Sequence, residues 1–157
     1  MTRTNSLSQP IIEALYSEAL VLADEVRSVF AQGTLAPEPG LTRQEDAITR
    51  LALSTEGLKT TTRMMHILAW LLNQRAFFAG ELTAKQVRRH GTLPSDRPSD
   101  ADQLGRLEEP TRELIAETER MHRRIARLDE AWRQDFDMGV SPARAFQERI
   151  GRELGGL

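Results

Sequence analysis

The chain has 157 residues, room for one domain built on a single core. A formal net charge of −2, with 39% apolar and 28% charged residues, describes a folded, soluble protein and excludes a global field that would draw it to nucleic acid or an anionic membrane. The absence of cysteine excludes disulfides, thiolate nucleophiles and thiolate zinc sites, and fits a reducing compartment such as the cytoplasm.

A first helix is predicted over about 9–32, with Ser8 as N-cap, Pro10 in the first turn and Gly33 as the stop. Leu15, Ala19, Leu22, Val26 and Val29 repeat at 4-3 spacing and form an a/d seam. Glu13, Glu18, Asp24 and Glu25 interrupt the apolar residues of this stretch, so it does not read as a secretory signal. The longest unbroken apolar run, Ile67 to Leu72, falls far short of the ~20 residues a membrane-spanning helix needs.

Residues 33–41, with Pro37, Pro39 and Gly40, break the chain before the capping box Thr42-x-x-Glu45 opens a second helix over about 42–79. Its heptad series is Ile48, Leu51, Thr55, Leu58, Thr62, Met65, Ala69, Leu72 and Ala76, with small or polar members in the middle that suit close helix approach. Gly57 and the weak helix formers Thr60, Thr61 and Thr62 mean that packing must hold this helix together. From Met64 to Phe78 the apolar arc spans roughly 200°, about twice the usual stripe, so the helix needs cover from two sides. Trp70 and Phe77 fall outside that arc, among Lys59, Arg63, His66 and Asn73, and are expected either at a dimer interface or under the 81–102 connection. Arg75 lies inside the arc and requires a partner, either a third-helix carboxylate, a carbonyl at a helix end or a group across an interface.

Thr83-x-x-Gln86 marks a short helix to about Arg89. A connection from His90 to Gln103 follows, with two prolines and no apolar pattern, and is expected to be mobile; Ser99-x-x-Asp102 can open a short lead-in helix. The third main helix is predicted over about 110–137, its seam running Leu107, Thr111, Leu114, Thr118, Met121, Ile125, Leu128 and Trp132. Beyond it, 139–157 reads as a weakly amphipathic appendage with Phe146, Ile150 and Leu154 on one face, and is expected to supply a partner contact.

Three seams with no strand-like alternation predict an all-α fold, an antiparallel three-helix bundle over 1–138 with the appendage 139–157 outside it. At 1.5 Å per residue the second helix spans about 57 Å and the first about 36 Å, so part of the second helix overhangs. Its apolar excess lies towards the C-terminal half, and an isologous homodimer is expected there.

Chemistry leaves little trace. His66, His90 and His122 lack metal-ligand spacing, and Glu109, Glu113 and Glu117 are interleaved with arginines as on a solvated helix face. Neither a nucleophile elbow nor a glycine-rich phosphate loop is present, so no enzyme, cofactor or metal is expected. Arg120, Arg123, Arg124 and Arg127 form the densest basic cluster and carry a nucleic-acid reading as third choice.

The stretch Glu56 to Ala76, with Glu56-Gly57-Leu58-Lys59, Thr61-Thr62-Arg63-Met64-Met65, Trp70-Leu71-Leu72 and Gln74-Arg75-Ala76, resembles the bacterial RcdA family, the regulators of CtrA degradation. His66 and Asn73 depart from that pattern. The resemblance implies a cytoplasmic, dimeric three-helix adaptor for the ClpXP protease, without enzymatic activity, acting in the cell cycle. It implies as partners ClpX primed by a CpdR-like response regulator, PopA-like adaptors and transcription-factor substrates. Arg63, Trp70, Arg75, Phe77, Phe146 and Ile150 are the expected protein-binding residues. A helical dimeric scaffold with no protease connection is the second reading.

Overall fold

In a computed structural model of the chain, residues 8–32, 40–139 and 150–151 are described, and among them all regular structure is helical. The elements are α1 (Gln9–Gln32), α2 (Arg43–Phe78), α3 (Ala84–His90), α4 (Ala101–Leu104) and α5 (Glu109–Gly139). The long helices lie within two residues of the predicted bounds. Local chemistry sets the starts: Thr42 caps α2 and Thr83 caps α3, each in a reciprocal box with Glu45 and Gln86. Helix α4 is capped by Asp100, not by Ser99. The carboxylate of Asp100 accepts from the backbone of Asp102 and Gln103, which Ser99 is one residue too early to do.

Helix α1 runs antiparallel along α2, so that Glu13 near its start meets Arg75 and Phe30 near its end meets Gly57. The predicted seam of α1 is the one it buries, with Ile12 added: Leu15, Ala19, Leu22 and Val26 are buried and Val29 partly so. The seam of α5 is likewise inward from Leu107 to Ile125, with Leu128 and Trp132 half-buried. These rows meet Met64, Ile67, Trp70 and Leu71 of α2 in one cluster. Where α1 ends, the N-terminal part of α2 is covered instead by Leu104, Leu107 and Ile115, packed on Ala52 and Leu53. The overhang thus falls at the N-terminal end of α2, where the chain covers Ala52 and Leu53 while none of residues 43–51 is buried.

The seam expected to bury α2 faces the other way. Leu51, Leu58, Met65 and Leu72 are 65%, 69%, 64% and 48% exposed. Glu56, Thr60, Arg63, Ile67, Trp70 and Gln74, on the opposite side of the helix, are each at most 2% exposed. The second set also keeps 4-3 spacing. Helix α2 therefore carries two heptad rows half a turn apart, and the row turned inward is the more polar. The Thr60 hydroxyl is satisfied within the helix by the Glu56 carbonyl at 2.7 Å.

At Gly57 the Phe30 ring of α1 packs directly on the backbone of α2. A Cβ there would stand 2.8 Å from Phe30 Cδ1. Gly57→Val should destabilise the fold by about 2 kcal/mol, through overpacking, in urea unfolding. Phe30→Ala in the same chain should recover part of that loss, because the two sites share one contact.

Glu45 has its pKa lowered from the ordinary 4.5, first by the backbone N–H of Thr42 and then by the Thr42 side chain. Its contribution is complete above the unfolded value and is lost as pH falls through the lower folded value. Stability measured from pH 6 to pH 3 should fall less steeply in Glu45→Gln than in the parent.

Candidate protein-binding site

Residues 91–100, expected to be mobile, lie as an extended strap against α2 and α5 without helix or strand of their own. Prolines and polar residues give this segment no apolar pattern, yet side chains of the two helices hold it along its length. Leu93 N donates to Asp129 Oδ2 at 3.3 Å, and His122 Nε2 stands 3.1 Å from the Pro94 carbonyl. Lys59 reaches the Pro98 carbonyl at 3.4 Å, Ser99 donates to Glu119 at 3.2 Å, and Asp100 N donates to Glu56 Oε1 at 3.2 Å.

Arg63 is the centre of this arrangement and is 1% exposed. Its Nε donates to both oxygens of Asp96 at 2.8 and 2.9 Å, one terminal nitrogen to Thr118 Oγ1 at 3.0 Å, and the other to the Arg97 carbonyl at 3.0 Å. A single guanidinium thus ties α2 to the strap and to α5. Trp70, at 2% exposure, donates its indole N–H to Asp129 at 3.0 Å. That places the ring under the strap, one of the two positions expected for it. Both residues are occupied inside the protomer, so neither offers a surface to a partner. Phe77 is half-buried, edge-on to Phe78 and Trp132, with ring centroids 5.4 and 6.4 Å away.

Arg75 finds its carboxylate on α1 rather than on the third main helix. Its Nε donates to Glu13 at 2.8 Å, and its guanidinium lies 4.2 Å over the Tyr16 ring. The hydrogen bond to Glu13 raises the guanidinium above its already high ordinary pKa, against the opposing effect of burial, so Arg75 stays charged. It sits at the rim between α1 and α2, 38% exposed on its side chain, where a partner could reach it. Ile150 is 39% exposed, whereas Phe146 lies outside the described residues, as does most of 139–157.

Thr118 reads from the sequence as a seam residue and His122 is weighed there as a metal ligand, but neither they nor Glu56, Asp96 and Asp129 are expected from it to hold the strap. Spacing is the signal that could have found them, since Ile115, Thr118, His122, Ile125 and Asp129 repeat at 3-4 intervals as a second inward row of α5. Among the described residues no group of histidines and carboxylates could hold a metal ion, and no helix is long and apolar enough to cross a membrane. Arg120, Arg123, Arg124 and Arg127 are exposed, and Arg124 stands 3.5 Å from Glu18 of α1.

The surface with the character of a binding site is the outward row of α2. It runs from Ile48 to Ala76 without a charged member. Contiguous exposed apolar surface of this kind marks an interaction site. Among the described residues nothing covers Leu58, which is 69% exposed at the middle of the helix.

Arg63→Lys should cost about 3 kcal/mol of folding stability, because an ammonium cannot keep the three-way contacts and Asp96 and Thr118 lose their donors. Amide exchange at Leu93 and Asp100 should speed up in the same variant, reporting a loosened strap.

Searches of the curated proteins and of the solved structures find no match. A family model does match, over residues 3–154, and so spans every element described above. By that match the chain belongs to the family described as Protein of unknown function (DUF1465).

Proposed function

We propose that the protein is a non-enzymatic homodimeric adaptor, in which α1, α2 and α5 form an antiparallel three-helix bundle. It tethers substrates or other adaptors to the ClpXP protease during regulated proteolysis in the cell cycle. The observation that carries this reading is the outward row of α2, an uncharged strip along the longest helix that nothing among the described residues covers. A tether needs surfaces rather than a reactive group. It acts by raising the local concentration of one bound partner near another.

The protease half of the reading rests on the resemblance of Glu56 to Ala76 to the RcdA family. With it come the cytoplasm as the setting, and ClpX primed by a CpdR-like response regulator, PopA-like adaptors and transcription-factor substrates as partners. Arg75, at an exposed rim, is the expected binding residue best placed to take part. Ile150 is also exposed and would act from the C-terminal appendage.

Tagged protein isolated from its own cells should recover ClpX, a response-regulator-like protein or unstable transcription factors. The half-lives of those factors should lengthen several-fold when the gene is deleted. Recovery of the chain alone, with unchanged half-lives, would favour the plain dimeric scaffold. Affinity for nucleic acid that falls steeply with salt would favour the arginine cluster.

A further inference from the structure

The outward row of α2 has an internal order that selects its occupant. Its large members, Leu51, Leu58, Met65 and Leu72, all occupy one heptad position. The other position holds Ile48 and then only small residues, Thr55, Thr62, Ala69 and Ala76. In a parallel pair of such helices, like positions meet. Layers of two large side chains would then alternate with layers of two small ones, and no single helix separation would pack both to interior density. In an antiparallel pair the two positions meet each other.

We infer that a second copy of this chain docks on this row with the two α2 helices antiparallel and the two-fold axis between Arg63 and Met64. In that register Thr62 meets Met65 of the second copy, Leu58 meets Ala69, Thr55 meets Leu72, and Leu51 meets Ala76. Continuing outward, Ile48 meets Ala79, the exposed C-cap of α2. Each layer contains one large and one small side chain, and all five exposed large residues of α2 are covered. The flanks agree: Lys59 falls beside His66 and Ser54 beside Arg75, so no two arginines or lysines are opposed. Shifting the helices by one heptad, so that Leu58 meets Thr62, would bring Lys59 against Lys59 and Ile48 against Leu72.

The strip from Ile48 to Ala79 is about 46 Å long and about 10 Å wide, or roughly 460 Å² in projection on each copy. Two such faces approach the ~1,000 Å² that separates specific interfaces from incidental contacts, and side-chain relief adds to the projection. The expected product is a reversible, concentration-dependent dimer. This inference deepens the homodimer part of the proposed function and rests on it.

Because the chain has no cysteine, the register can be read by paired substitutions in the purified full-length protein. Leu58→Cys with Ala69→Cys should give covalent dimers on mild oxidation, as should Thr55→Cys with Leu72→Cys. Neither pair can close within one helix, since 11 or 17 residues separate them by about 16 or 25 Å. Leu58→Cys alone should not cross-link, and Leu58→Glu should be monomeric in light scattering with unchanged helical content. Efficient cross-linking of Leu58→Cys alone would overturn the antiparallel arrangement. Preferential cross-linking of Thr55→Cys with Met65→Cys would overturn the register. A dimer that ignores Leu58→Glu would place self-association elsewhere and overturn the docking site alone. A parent protein that stays monomeric at all concentrations would overturn this inference and the homodimer together, while leaving the protease connection to the isolation experiment.

Discussion

A guanidinium buried at 1% exposure constrains the rest of this molecule. Arginine cannot shed its charge inside a protein, so Arg63 must be solvated by fixed groups in place of water. Its partners come from two segments distant in sequence: Asp96 and the Arg97 carbonyl on the strap, and Thr118 on α5. The planar fork admits few arrangements of these acceptors. Their separation and register are fixed together. A buried ion pair is weak evidence for net stability, because desolvating both charges offsets most of their attraction. What it supplies here is position, by penalising any packing of α2 on α5 that leaves the strap loose.

That constraint propagates along α2. Trp70, two turns on, satisfies its indole N–H on Asp129, which also accepts from Leu93. Glu56, two turns back, accepts from Lys59 and Asp100 and so holds the far end of the strap. The side of α2 carrying these groups is closed by the strap and α5, while Gly57, Met64 and Leu71 are occupied by α1. With one arc of the helix committed in this way, none of the described elements is left to cover its remaining heptad row. The exposed strip is a consequence of how the core is built.

Much of this was legible in the sequence, for reasons that also explain the rest. The two capping boxes and the predicted seams of α1 and α5 depend on neighbours within a few residues, and the structure has them where the sequence places them. Helix α2 defeats the same reasoning because it has two periodic rows, and the apolar one reads as core. Thr60, Arg63 and Gln74 read as a wet face from the sequence, although all three are buried, and only for Arg63 do hydrogen-bond partners on other segments account for it. The strap misled for the same reason. Its order comes from side chains up to 44 residues away, and local composition cannot report them.

The stretch from Glu56 to Ala76 is divided between two faces of α2. Glu56, Gly57, Arg63, Met64, Trp70, Leu71 and Gln74 belong to the buried side of the helix. Leu58, Thr62, Met65, Leu72 and Ala76 lie in the same stretch and belong to the outward row. Core packing within the protomer places no demand on Leu58 or Met65, which are 69% and 64% exposed. The apolar character of the outward row is therefore set by something other than the packing of the described residues.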